Sequence, residues 1–169
     1  YEQMKQTVDL HLHVGPRFMV DEETYEMVTS IDAIIEGRNE LTVEFEYRGV
    51  QCKARFDAVV GDEIWDVKTS ANPYGFEYEI KKWKYYIQAA WYCLAFKAAF
   101  GKMPKNFNFF VVPNSQPVND IQTWTLHPEY IEYGIAIIDN YIDKFKICLE
   151  NDDFSREIPN TEVYKPSYL

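Results

Sequence analysis

Asp57, Asp66 and Lys68 lie in the stretch "RFDAVVGDEIWDVKTS", where two acids and a lysine bracket a mostly apolar run. On an extended strand, side chains two residues apart project from the same face, so Asp66 and Lys68 share a side. A turn at Gly61-Asp62 puts Asp57 on the neighbouring strand, nearly opposite Asp66, where cross-strand Cβ atoms are about 4.5–5.5 Å apart. Two carboxylates that close repel unless a cation sits between them. A hard divalent ion such as Mg2+ takes oxygen ligands and keeps several waters, so two carboxylates and one backbone carbonyl suffice to hold it. A lysine beside them can orient or deprotonate a water, or stabilise charge building on a phosphate. The competing reading is an ordinary Asp–Lys pair on a hairpin surface, which a lone D-x-K triplet often is.

The elements around these residues can be read from periodicity. Residues 21–38 place Tyr25, Val28, Ile31, Ile34 and Ile35 at helical spacing, with Asp21 as N-cap and Gly37 as stop. "ELTVEFEY" alternates, with Leu41, Val43, Phe45 and Tyr47 on one face and Glu40, Thr42, Glu44 and Glu46 on the other, as in a strand with one buried side. "QCKARFDAVV" and "EIWDVKTS" follow as the second and third strands of an antiparallel meander. Residues 77–100 carry Ile80, Trp83, Ile87, Ala90, Trp91, Leu94 and Ala98 at helical spacing and end at Gly101. "NFNFFVV" and "DIQTWTL" are short strands, and residues 127–150 form a last long helix with Pro128 in its first turn. The tail from 151 looks irregular. The order helix, three strands, helix, strand, strand, helix predicts an α/β (α+β) sandwich around a mixed sheet.

Size and composition set the bounds. A chain of 169 residues and 20.0 kDa is one domain, residues 1–169, large enough to bury a core. Tyr1 stands where a start Met would, so a fragment lacking an N-terminal part is one expectation. No apolar run is long enough to span a membrane, and the N-terminus lacks the apolar core of a signal peptide. Cys52, Cys93 and Cys148 are widely spaced, which fits reduced thiols in a cytoplasmic protein and argues against an iron–sulfur or zinc site. The net charge of −10 argues against a protein held to DNA by bulk electrostatics, though not against a local basic groove or a metal-assisted site. By alternation Lys53 and Arg55 share the Asp57 face and are the candidates nearest a phosphate path. Lys81, Lys82 and Lys84 could contact a backbone or simply be solvated. Trp83 and Trp91 sit at core spacing and are expected to be structural.

"GVQCKARFDAVVGDEIWDVKTS" followed by "YYIQAAWYCLAF" resembles the PD-(D/E)XK nuclease superfamily, and within it the RecE-like phage and prophage exonucleases. The first stretch is similar to that family's G-x-x-C-K-x-R-x-D strand and D-x-K strand. The second supplies Gln88 and Tyr92 in a Q-x-x-x-Y helix motif. The resemblance covers residues 40–150 and implies an αβββαβ restriction-endonuclease-like core with an extra C-terminal helix. It implies that Asp57 and Asp66 hold Mg2+ (or Mn2+) with the Val67 carbonyl, that Lys68 is catalytic, and that Gln88 and Tyr92, one helical turn apart, steady Lys68 or a phosphate. The bland alternative for that pair is a core tyrosine with a glutamine at its edge. Glu40 is the candidate for an additional upstream acid, although Glu44 and Glu46 share its face. The family's G-x-x-x-H is not matched by His11 or His13 in "TVDLHLHVGPRF", which points to a missing upstream part or to ordinary surface histidines.

The expected activity is therefore Mg2+-dependent hydrolysis of DNA from linear duplex ends in phage-type homologous recombination. The resemblance also implies a ring-shaped homo-oligomer and a single-strand annealing protein as partners. Alternatives are a structure-specific endonuclease on the same core, a CRISPR-adaptation nuclease, or a DNA-binding module that has lost catalysis. The CRISPR group needs four cysteines, one early and three clustered late, which this chain lacks.

Overall fold

The structure, a computed structural model, describes residues 38–114 and 121–154. Apart from Arg38, the helix expected over 21–38 lies outside the described residues, as do His11, His13 and the tail from 155.

One antiparallel hairpin opens the described chain. It comprises β1 (Arg38–Asn39) and β2 (Thr42–Tyr47) on one arm, β3 (Val50–Arg55) and β4 (Ala58–Val60) on the other. A single register runs from Arg38↔Val59 through Thr42↔Arg55 to Tyr47↔Val50. Hydrogen bonds from Phe56 N to Leu41 O (3.0 Å) and from Glu40 N to Asp57 O (2.9 Å) carry it across the gap between the paired segments. The hairpin nevertheless bends there: Glu40 has a left-handed backbone (φ 53) and Asp57 lies outside both strands. The predicted strand "QCKARFDAVV" is thus broken at Phe56-Asp57, and its two halves belong to different sheets. The physical reason is a change of burial. β3 is covered on one face only, whereas Ala58 and Val59 are both buried because β4 enters the centre of the fold.

The main sheet has the order β1-β4-β5-β6-β7, with β5 at Glu63–Ser70, β6 at Asn106–Pro113 and β7 at Gln122–Thr125. β5 is antiparallel to β4 and parallel to β6, so the sheet is mixed. A parallel neighbour needs a crossover. Here it is a short turn at Pro73–Gly75 followed by α1 (Phe76–Trp83) and α2 (Tyr85–Phe100). The helix predicted over 77–100 is therefore two helices. Lys84 adopts the left-handed conformation (φ 56), closing α1 with its N–H on Ile80 O. This break also overturns the expectation for Trp83, which sits at the last position of α1 and is exposed; Trp91 does pack against the core.

The final helix, α3 (Pro128–Asn151), lies on α2. Gly134 makes the close approach possible, because a Cβ there would lie 2.5 Å from the Tyr86 carbonyl oxygen and 2.6 Å from Ala90 Cβ. Tyr47 donates to Asp139 (2.6 Å) and Arg48 reaches Asp143 (2.8 Å), tying the hairpin tip to α3. Phe107, Phe109 and Val111 of β6 and Ile64 of β5 join the α2 side of the core, while Trp65, Val67, Phe110 and Val112 line the other face of the sheet. By the same alternation Asp66 and Lys68 point toward α2.

Candidate active site

The register Ala58↔Trp65, Val59↔Ile64 and Val60↔Glu63 continues to bring Asp57 opposite Asp66, as the turn at Gly61-Asp62 predicts. Asp57 is held by the hairpin bend, and its Oδ2 accepts the Val67 N–H at 2.9 Å. Asp66 is fully buried at 0% exposure, in the middle of β5. Its Oδ1 accepts from Gln88 Nε2 at 3.1 Å, and the same amide nitrogen donates to the Tyr92 hydroxyl at 3.2 Å. A primary amide has two N–H groups to give, so one glutamine can serve both. Gln88 thus bonds directly to Asp66, the carboxylate that pairs with Lys68.

Lys68 Nζ forms an ion pair with Asp66 Oδ2, and its side chain is only 15% exposed. Apart from that ammonium, Asp66 Oδ2 is buried without a hydrogen-bond donor. Burial works against the Lys68 charge, but the Asp66 carboxylate, with Asp57 behind it, outweighs burial and raises the pKa above its ordinary value. The pairing with Asp66 thus favours the charged form of Lys68. Asp57 responds the other way: burial first, and then the Asp66 charge, push its carboxyl up to about 7, against the pull of Lys68, the Val67 N–H and Arg55.

Among the described residues, no three His, Cys, Asp or Glu side chains converge. Asp57 and Asp66 are the two carboxyl groups that face one another at this point. Two facing carboxyl groups, with burial and the Asp66 charge pushing Asp57 up to about 7, fit a hard divalent ion that would relieve their repulsion, its remaining positions going to water, backbone carbonyl or phosphate oxygens.

Sequence reasoning missed Tyr85. Lys68 Nζ sits 5.0 Å from the centre of its ring, which in turn stacks on Phe76 at 5.8 Å. The signal was only an aromatic three residues before Gln88, one helical turn back on the same face. Glu79 was missed as well; it pairs with the Ser70 hydroxyl, tying α1 to the end of β5. Tyr92 is buried edge-on to Phe56 at 5.4 Å, so it reaches the site through Gln88. Glu40 comes directly opposite Asp57, joined to it by the backbone hydrogen bond described above. Arg55 is near enough to act on the Asp57 charge. Lys53 is exposed and paired with Glu44 at 3.6 Å. The three cysteines, on β3, α2 and α3, are free thiols.

Residues 4–165 match a family described as a PDDEXK-like domain of unknown function (DUF3799). Among solved structures, the chain is similar to a candidate exonuclease from Eubacterium rectale, at TM-score 0.66 and 15% identity over 98% of this chain and 70% of that one. A phage-related exonuclease from Haemophilus somnus 129PT aligns at TM-score 0.44 and 13% identity, over 90% of this chain and 83% of that one. No curated protein matches the chain.

Proposed function

The chain belongs to the PDDEXK-like family (DUF3799), whose nuclease core it carries, and from that premise we propose that it is a Mg2+-dependent DNA exonuclease of the RecE-like kind, digesting linear duplex from its ends. Mn2+ would substitute for Mg2+. The observation that carries this reading is the convergence of Asp57, Asp66 and Lys68, with Gln88 fixing Asp66 from α2.

Asp57 and Asp66 would hold the ion, together with the Val67 carbonyl. When bound, the ion supplies Lewis acidity for the attacking water and positive charge for the scissile phosphate. The chain's own residues do the rest. Gln88 locks the Asp66 carboxylate in one orientation, and Tyr92 locks Gln88. Lys68, which keeps its proton, places a positive charge where the phosphate gains negative charge in the transition state. Tyr85 supports that ammonium through its ring face. Glu40 is placed to contribute through the Asp57 side, and Arg55 to meet a phosphate. A role in phage-type recombination follows from the RecE-like resemblance. The ring-shaped assembly and the single-strand annealing partner belong to the same resemblance, and neither is needed for hydrolysis.

The test is digestion of end-labelled linear, nicked and covalently closed duplex with Mg2+. The expected result is stepwise loss of label from linear duplex only, abolished in Asp66→Asn. Cutting of closed circles would replace the exonuclease reading with an endonuclease. Binding without cleavage in Mg2+ and Mn2+ would leave a DNA-binding module.

A further inference from the structure

Tyr74, Tyr78 and Trp83 are 64%, 69% and 58% exposed on the segment that leaves the catalytic strand. Tyr74 lies in the turn before α1, Tyr78 follows four residues later, and Lys82 four after that. On α1 the four-residue spacing puts Tyr78 and Lys82 on one side, while Trp83, in line with Phe76 and Ile80, projects from the adjoining side at the end of the helix. Lys82 Nζ lies 5.9 Å from the centre of the Tyr78 ring and 4.7 Å from that of Trp83, bridging the two aromatics. Lys81 is engaged by Glu77 at 2.8 Å and Glu79 by Ser70. Lys82 and Lys84 have no carboxylate partner among the described residues.

The face is held firmly. Trp124 Nε1 donates to Pro73 O at 3.0 Å, and Phe76 packs against Tyr85 and Phe109. The left-handed Lys84 ends α1 just after Trp83. One residue further on, Tyr85 meets Lys68. The aromatic segment thus lies in the crossover between β5, which carries Asp66 and Lys68, and α2, which carries Gln88.

We propose that this face of α1 is a stacking platform for the bases of an unpaired DNA strand at the catalytic centre. That the polymer is DNA rests on the nuclease reading above; that it is unpaired follows from the face itself. In a duplex the base faces are already stacked on one another, and only phosphates and groove edges are offered. Two available lysines are too few to hold a duplex by phosphates, whereas exposed aromatic rings hold any unpaired base by its π-face. An apolar protein partner would have to bury Lys82 and Lys84 without counter-charge, which is costly. A single strand brings phosphates for the lysines and bases for the rings.

The test is anisotropy of labelled oligothymidylate, an abasic deoxyribose-phosphate oligomer of the same length, and a blunt duplex, titrated in EDTA with the full chain. Wild type is expected to bind oligothymidylate more tightly than the abasic oligomer. Trp83→Ala and Tyr78→Ala should each weaken oligothymidylate roughly five- to a hundredfold, while Trp83→Phe keeps most of the affinity. Both residues are exposed, so unchanged melting temperatures are the expected control. Equal affinity of wild type for the two oligomers, or of Trp83→Ala and wild type for oligothymidylate, overturns the platform. Loss of self-association in Trp83→Ala with oligothymidylate binding unchanged also overturns it, in favour of a second copy of the chain. Cleavage plays no part in EDTA, so a failure to digest DNA in Mg2+ counts against the catalytic reading alone.

Discussion

Asp66 is wedged between a buried ammonium and a glutamine, whereas Asp57 takes one backbone N–H and faces Asp66. Neutralising each should therefore act in opposite directions. The Asp57 pKa is raised from 3.8 to about 7 by burial and by Asp66, so in the metal-free protein the folded state holds this proton more tightly than the unfolded one. The stability it contributes is full below pH about 4 and is lost as pH rises through about 7. Asp57→Asn keeps an acceptor for Val67 and removes the charge. In EDTA at pH 8 it should melt higher than wild type, with a flatter profile between pH 4 and 7. Asp66→Asn strands Lys68 in a buried site, where breaking an ion pair costs about 3–5 kcal/mol, and should melt lower. Parallel shifts in the two variants would show that the carboxylates do not interact as placed. Lys68→Ala should cut the cleavage rate about a hundred- to a thousandfold. It also removes the charge that partly neutralises both acids, so its melting temperature should fall in EDTA and recover with Mg2+. Near-normal cleavage would take Lys68 out of the chemistry.

Each strand of the site was legible because period-two alternation and one Gly-Asp turn together fix a register. The bend at Asp57 was not. Val50, Cys52, Ala54, Phe56, Ala58 and Val60 alternate without interruption, so nothing local marks where one-sided burial gives way to two-sided. The helix break at Lys84 was hidden for a related reason: Phe76, Ile80 and Trp83 continue the apolar spacing of the next helix, and a lysine is not an expected left-handed residue. Gln88 and Tyr92 were recognisable as a pair through the resemblance to a Q-x-x-x-Y motif, but their partner was not, since Asp66 lies twenty-two residues from Gln88 in sequence. What positions that pair is the seat of α3 on α2. Gly134→Ala would drive a methyl into the Tyr86 carbonyl and Ala90. It should destabilise the protein by about 1–3 kcal/mol, as overpacking does. Urea titration checks this, and an unchanged midpoint would mean the helices can separate at little cost.

Over the whole molecule, 27 acidic residues against 17 basic ones leave a net charge of −10, a poor background for holding a polyanion. Among the described residues the cations near the site are Arg55 beside Asp57, Lys68 paired with Asp66, and Lys82 and Lys84 on the segment between β5 and α2. No helix among the described residues is long and apolar enough to cross a membrane. On the proposed reading, attraction to duplex comes from few phosphates near the site and, when the cation is present, from the ion held by Asp57 and Asp66. In EDTA, duplex affinity should be weak, and log K against log salt should have a slope of about −2 to −3, the signature of two or three phosphates neutralised. Mg2+ should strengthen duplex binding in wild type and much less in Asp66→Asn. Single-strand binding, part of which comes from stacking, should lose less affinity than duplex as salt rises from 50 to 200 mM, the range over which roughly −0.7 per phosphate replaces −0.9. A slope near −8 for duplex in EDTA would mean that a broad basic surface, rather than the catalytic end of β5 and α1, carries the DNA.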